Sequence, residues 1–136
     1  MSKYLLDSNV LIQALRRDLD VLDWLDSIRS AHYLYTSVVS RVEIFAGMHP
    51  REEQMTEALL TSLISLSITV PIADRAGRII YSYARKGFQV SFPDALIAAT
   101  ALEHDMALVT TNVKHFPMLG EQVTALAEHL PGEQRA

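Results

Sequence analysis

No cysteine occurs among the 136 residues. A disulfide framework and thiolate metal ligation are therefore excluded, and a reducing cytoplasm suits the chain. Long apolar runs are missing too: nothing approaches the roughly 18 residues of a membrane span, so no membrane association is expected. At the start, Tyr4-Leu5-Leu6 is cut short by Asp7, too brief a run for a signal peptide. An excess of positive charge is also lacking. Lys plus Arg total 12 against 16 Asp plus Glu, a formal charge of −4. Nucleic-acid binders are more often basic, so such a role would need the acids gathered where a cation neutralises them. His32, His49, His104, His115 and His129 are scattered without ligand spacing, which argues against a zinc site.

What the chain does have is apolar mass. Hydrophobic residues make up 49% and charged residues 21%, the balance of a globular protein. The length suits one domain, and no repeat or linker divides it; residues 128–136 read as a loose polar tail. Lys3 to Leu6 reads as a short buried strand, with Ser8-Asn9 starting a helix through Leu15. Val21, Leu22, Trp24, Leu25 and Ile28 have helical spacing. Tyr33 to Val39, rich in β-branched and aromatic residues, predicts a second strand. Arg41 to Ala46 predicts a short helix and Arg51 to Leu66 a longer one. Ile68 to Val70 reads as a strand, Ala73 to Lys86 as a helix ending at Gly87, and Pro93 to His104 as another helix. Met106 to Val109 and Val123 to Leu126 complete the strands.

Strands alternating with helices predict an α/β fold with a mainly parallel sheet covered on both faces. Such folds bind ligands at the carboxyl ends of their strands. Asp7 follows the first strand, Glu43 comes just after the second, and Thr110-Thr111-Asn112 follows a later one. Each polar residue has a plain structural reading. Asp7 makes a good helix cap, although Ser8 and Asn9 offer alternatives. Glu43 stands in the apolar run Val42–Ala46, where a buried carboxylate needs a partner or a cation; otherwise it is a surface residue beside Arg41. Asp94 has capping-box spacing with Ser91, and acids suit a helix start. Thr110, Thr111 and Asn112 fit a turn. Taken together, three carboxylates and an amide on one edge match hard cations such as Mg²⁺ or Mn²⁺.

At these residues the sequence resembles a known family. Leu5-Leu6-Asp7-Ser8-Asn9-Val10-Leu11-Ile12 is similar to the opening motif of PIN-domain nucleases. Ser40–Gly47, Asp94–Ala101 and Leu108–Phe116 resemble their second, third and fourth motifs, in order, from Lys3 to about Leu126. The likeness is nearest to VapC-type toxins of bacterial toxin–antitoxin pairs. It implies a PIN-like three-layer α/β/α fold and a Mg²⁺- or Mn²⁺-dependent endoribonuclease. Asp7, Glu43 and Asp94 would be the metal-binding acids, and Asn112 the fourth catalytic position, often acidic in the family. Ser8, Thr110, Thr111 and Lys114 would position substrate.

The resemblance also implies an RNA substrate, a cognate antitoxin and a homodimer. Arg75, Arg78, Arg85 and Lys86 share a sector of about 100° on one helix, either a solvated face or a phosphate-contacting stripe. No interleaving of aromatic and basic residues suggests a base-stacking platform. The apolar residues around Trp24, and Leu59, Leu60, Leu63 and Ile64, are either core or part of a partner surface. Three rival functions stand beside the nuclease. A phosphoacceptor receiver would show an early acidic pair, and Asp7 stands without one. An aspartyl phosphatase would carry aspartate where Asn9 stands. The third is a PIN-fold binding module without catalysis.

Overall fold

The computed structural model describes residues 3–132. Five strands form one sheet: β1 (Lys3–Leu6), β2 (Tyr33–Ser37), β3 (Ile64–Leu66), β4 (Ala107–Thr110) and β5 (Val123–Ala125). Their order is β3-β2-β1-β4-β5, and every pairing is parallel. The chain winds outward from β1 to β3, then returns to place β4 on the other side of β1. That reversal falls between β1 and β4, and open α/β sheets bind ligands beyond the carboxyl ends of the strands at such a point.

Helices α1 (Ser8–Leu15), α2 (Leu19–Arg29), α3 (Val38–Gly47) and α4 (Glu53–Thr61) connect β1, β2 and β3; α5 (Val70–Arg85) and α6 (Phe92–His104) connect β3 to β4. The two faces of the sheet bury separate cores. Alternation along β1 sends Leu5 into the core with Ile72, Ala76, Ile97 and Ala98 of α5 and α6. Leu6 enters the other, with Val10, Leu11, Val21, Trp24 and Leu60 of α1, α2 and α4. Leu108 and Val109 of β4 divide in the same way. The tight fit of α6 on the sheet follows from Ala95, Ala98, Ala99 and Ala101, all wholly buried.

The structure differs from the sequence expectation at several places. The second strand stops at Ser37, because the Ser37 hydroxyl accepts from Val39 N at 3.0 Å and starts α3 there. The helix expected over Arg51–Leu66 ends at Thr61, and Ile64–Leu66 pairs beside β2 as β3. Ile68–Val70 is not a strand: Thr69 caps α5, with Pro71 in the first helical turn. The segment from 128 is not loose where it is described. Leu126–His129 forms a 3₁₀ helix, Leu130 is buried, and His129 packs on Trp24 with ring centroids 4.8 Å apart. Residues 133–136 lie outside the described residues.

Leu5→Ala and Leu6→Ala would empty opposite layers. Each is expected to lower stability by about 2–5 kcal/mol, measured by denaturant titration.

Candidate active site

β1 delivers Asp7 to the seam between the two central strands. Its backbone N–H donates to the Val109 carbonyl of β4 at 3.1 Å. Its extended backbone then turns into α1, and Asp7 Oδ1 accepts from Ser8 N at 2.8 Å. Asp7 is therefore itself the helix cap, its plain structural reading, and neither of the alternatives Ser8 and Asn9 takes that role. Both neighbours are turned to other work. Ser8 Oγ donates to Glu43 Oε1 at 3.0 Å. Asn9 Oδ1 accepts from Thr111 N at 3.2 Å, tying the start of α1 to the end of β4.

Asp7 is only 4% exposed. Thr110 Oγ1 donates to its Oδ2 at 2.7 Å and accepts from Asn112 N at 3.1 Å. One hydroxyl thus orients the carboxylate and folds the turn that carries Asn112. Thr110 is fully buried, so its observed role is to position Asp7, and any positioning of substrate would run through that carboxylate. Burial pushes the Asp7 carboxyl above the usual carboxylate range, and the charges of Asp94 and Glu43 add to that rise. The bonds from Thr110 and Ser8 pull the other way without cancelling it.

Asp94 lies in the first turn of α6. Ser91 is the cap, its hydroxyl accepting from Asp94 N at 3.2 Å, and the Asp94 carboxylate lies within electrostatic reach of Asp7. His115 Nδ1 stands 3.4 Å from Asp94 Oδ2. Sequence spacing missed this pairing, since it joins the short 3₁₀ turn Val113–His115 to a helix some twenty residues earlier. The only signal was that both residues fall inside the quoted motifs.

Glu43 is exposed on α3 rather than buried in an apolar run. Arg41 is not its partner: Arg41 donates to Ser65 Oγ at 3.1 Å and lies over the Phe45 ring. Thr111, Asn112 and Lys114 are exposed at the same strand ends. The basic stripe on α5 divides. Arg75 pairs with Glu103 at 2.9 Å, near the end of α6 remote from Asp94. Arg85 and Lys86 lie at the other end of the α5–α6 hairpin. Trp24, Val21, Leu25, Leu60 and Leu63 are buried as core, whereas Ile64 is exposed on β3.

The PIN domain family matches residues 4–119 of this sequence. The chain belongs to the PIN-domain family. It is 43% identical over 114 residues to Ribonuclease VapC10 of Mycobacterium tuberculosis, spanning 84% of this chain and 86% of that protein. A toxin–antitoxin complex from Klebsiella pneumoniae contains a similar chain, 26% identical with a TM-score of 0.74, covering 89% of this chain and 95% of that one. The DNA-bound VapBC structure from Salmonella typhimurium has a TM-score of 0.80 at 23% identity, over 92% of this chain and 98% of that one, and supports the fold. Membership in the PIN family sets aside the receiver and phosphatase readings. No helix among the described residues is long and apolar enough to cross a membrane.

In this PIN domain no three Asp, Glu or His side chains among the described residues are grouped closely enough to hold a metal ion by themselves. The donor chemistry suits an ion that keeps part of its water. Asp7, Glu43 and Asp94 offer carboxylate oxygens, and Mg²⁺ binds through one or two carboxylates while keeping several waters. A dehydrated zinc site does not fit this set.

The raised Asp7 pKa has a consequence for stability. Its folded-state value lies above its unfolded value of 3.8, so the folded protein holds this proton more firmly. The contribution is favourable below 3.8 and is lost as pH rises through the folded value. In metal-free buffer, Asp7→Asn is expected to gain melting temperature relative to the parent as pH rises past that window. A constant difference across pH 3 to 7 contradicts the assignment.

Proposed function

We propose that this PIN domain is the toxin of a toxin–antitoxin pair and acts as an endoribonuclease dependent on Mg²⁺ or Mn²⁺. One observation carries the reading: a nearly buried aspartate at the β1/β4 seam shares its field with two further carboxylates. Holding such charges together has no evident value to the fold, since removing them relieves desolvation and repulsion. It has value to a protein that recruits a cation and a phosphate there. The 43% identity to a protein named as a ribonuclease supports the same conclusion.

One or two of Asp7, Asp94 and Glu43 would hold the ion directly and the rest through its retained waters, and the ion when bound would neutralise their charge and polarise the scissile phosphate. Thr110 keeps Asp7 in one orientation, and the Ser8 hydroxyl steadies Glu43. Asn112 and Lys114 are exposed on the adjoining turn and would meet the RNA backbone. Cleavage is hydrolysis of a phosphodiester: the oxygen of water bonds to phosphorus, the bond to the leaving nucleotide breaks, and that oxygen takes up a proton. With an amide at Asn112 instead of a fourth acid, the site attracts a second cation less strongly.

The antitoxin and homodimer belong to the same proposal. Ala14, Leu15, Leu22 and Leu59 line a groove on α1, α2 and α4 with Met55 and Arg17, an apolar surface with a charged rim suited to an amphipathic antitoxin segment. The function is tested by incubating RNA with the purified protein, with and without Mn²⁺. Cleavage is expected only with metal. Loss of an outer partner of a metal ligand costs 10–100-fold, so Asp7→Asn is expected to lose about 100-fold or more. Equal cleavage by parent and variant overturns the assignment. RNA binding without cleavage under any metal favours a binding module.

A further inference from the structure

The end of the α5–α6 hairpin that carries Asp94 has an unusual surface. Residues 81–92 include four aromatic side chains, two cations and no acid, in a chain whose formal charge is −4. Tyr81 is 65% exposed and Phe92 is 71% exposed. Phe88 is also exposed, with its ring 5.9 Å from that of Tyr83. The Arg85 guanidinium lies 5.3 Å from the Tyr81 ring centre and donates to the Tyr81 hydroxyl at 3.2 Å. The Lys86 ammonium lies 4.8 Å from the Tyr83 ring centre. At the opposite end of the hairpin, Arg75 is neutralised by Glu103. Here the cations lie against rings.

Nothing local requires Phe92 to be exposed. It opens α6, where the cap comes from Ser91 and a small or polar residue would serve equally. Yet it shares the first turn of α6 with Asp94. Flat exposed rings bracketed by cations, beside acids suited to a phosphate-bound ion, match single-stranded nucleic acid: rings stack on bases and cations track the backbone. A duplex hides its base faces and cannot use the rings. A second copy of this chain would account for the exposed rings but gives no use for the two cations set beside them.

We infer that Phe92 and Tyr81, with Arg85 and Lys86, form a stacking platform that selects single-stranded RNA and leads it to the carboxylate site. The inference rests on the nuclease reading for its substrate. It also replaces the expectation that no such platform exists.

The test pairs metal-free binding of a short labelled RNA, as single strand and as duplex, with steady-state cleavage in Mn²⁺. The parent is expected to prefer the single strand. Phe92→Ala, at an exposed position, is expected to weaken single-strand binding and raise KM by about 5- to 150-fold, with kcat nearly unchanged. Phe92→Trp is expected to restore both. Unchanged binding and KM in Phe92→Ala overturn the platform while leaving the nuclease standing. A loss that follows dissociation of a dimer in sedimentation overturns it in favour of a second copy. A parent that binds through Phe92 but never cleaves sinks the nuclease reading and keeps the platform; one that neither binds nor cleaves overturns both.

Discussion

The hydrogen bond from Thr110 to Asp7, 2.7 Å long and buried, joins the two strands at which the sheet reverses direction. Asp7 would be an unfavourable residue without it. Its carboxylate is nearly removed from water and feels Asp94 and Glu43 besides. The backbone bond from Asp7 to Val109, the cap on α1 and the turn through Asn112 all meet at this point. Moving Asp7 would disturb β1, β4 and α1 together. The fold therefore holds one charge rigidly where folding alone would prefer an apolar residue, as functional sites do.

Much of this was legible in the chain because burial imposes pattern. Leu5-Leu6 and Leu108-Val109 are continuous apolar pairs, as strands covered on both faces require. The alanine-rich run after Asp94 announced a buried helix. Failures came where local chemistry outweighed pattern. Leu59, Leu60, Leu63 and Ile64 keep helical spacing, but the helix ends at Thr61 and β3 continues the chain. Ile68 to Val70 looked like a strand, yet the Thr69 hydroxyl and Pro71 make a helix start there. Neither capping nor edge pairing leaves a periodic trace.

The site was legible as a set of residue types and not as a geometry. The motifs placed Asp7, Glu43 and Asp94 on one edge. They could not show that Glu43 is exposed while Asp7 is almost sealed, because burial depends on how α3 and β4 pack. They could not show that Thr110 orients Asp7, since the pair is 103 positions apart. The same applies to His115 and Asp94, and to the rings at the hairpin end. Net charge misled most easily. A formal charge of −4 averages over the chain and hides that residues 81–92 carry two cations and no acid, while Asp94 and Glu43 act on Asp7.

The central claim is that Asp7 is held in an unfavourable state that a divalent cation relieves. Thermal unfolding with increasing Mn²⁺ at neutral pH tests it most directly. A ligand that binds only the folded state raises stability by RT ln(1 + [L]/Kd), which is about 2.7 kcal/mol at one hundred times Kd. The account predicts a saturable rise in melting temperature for the parent and little or none for Asp7→Asn. Equal rises in both proteins, or none in either, would contradict it.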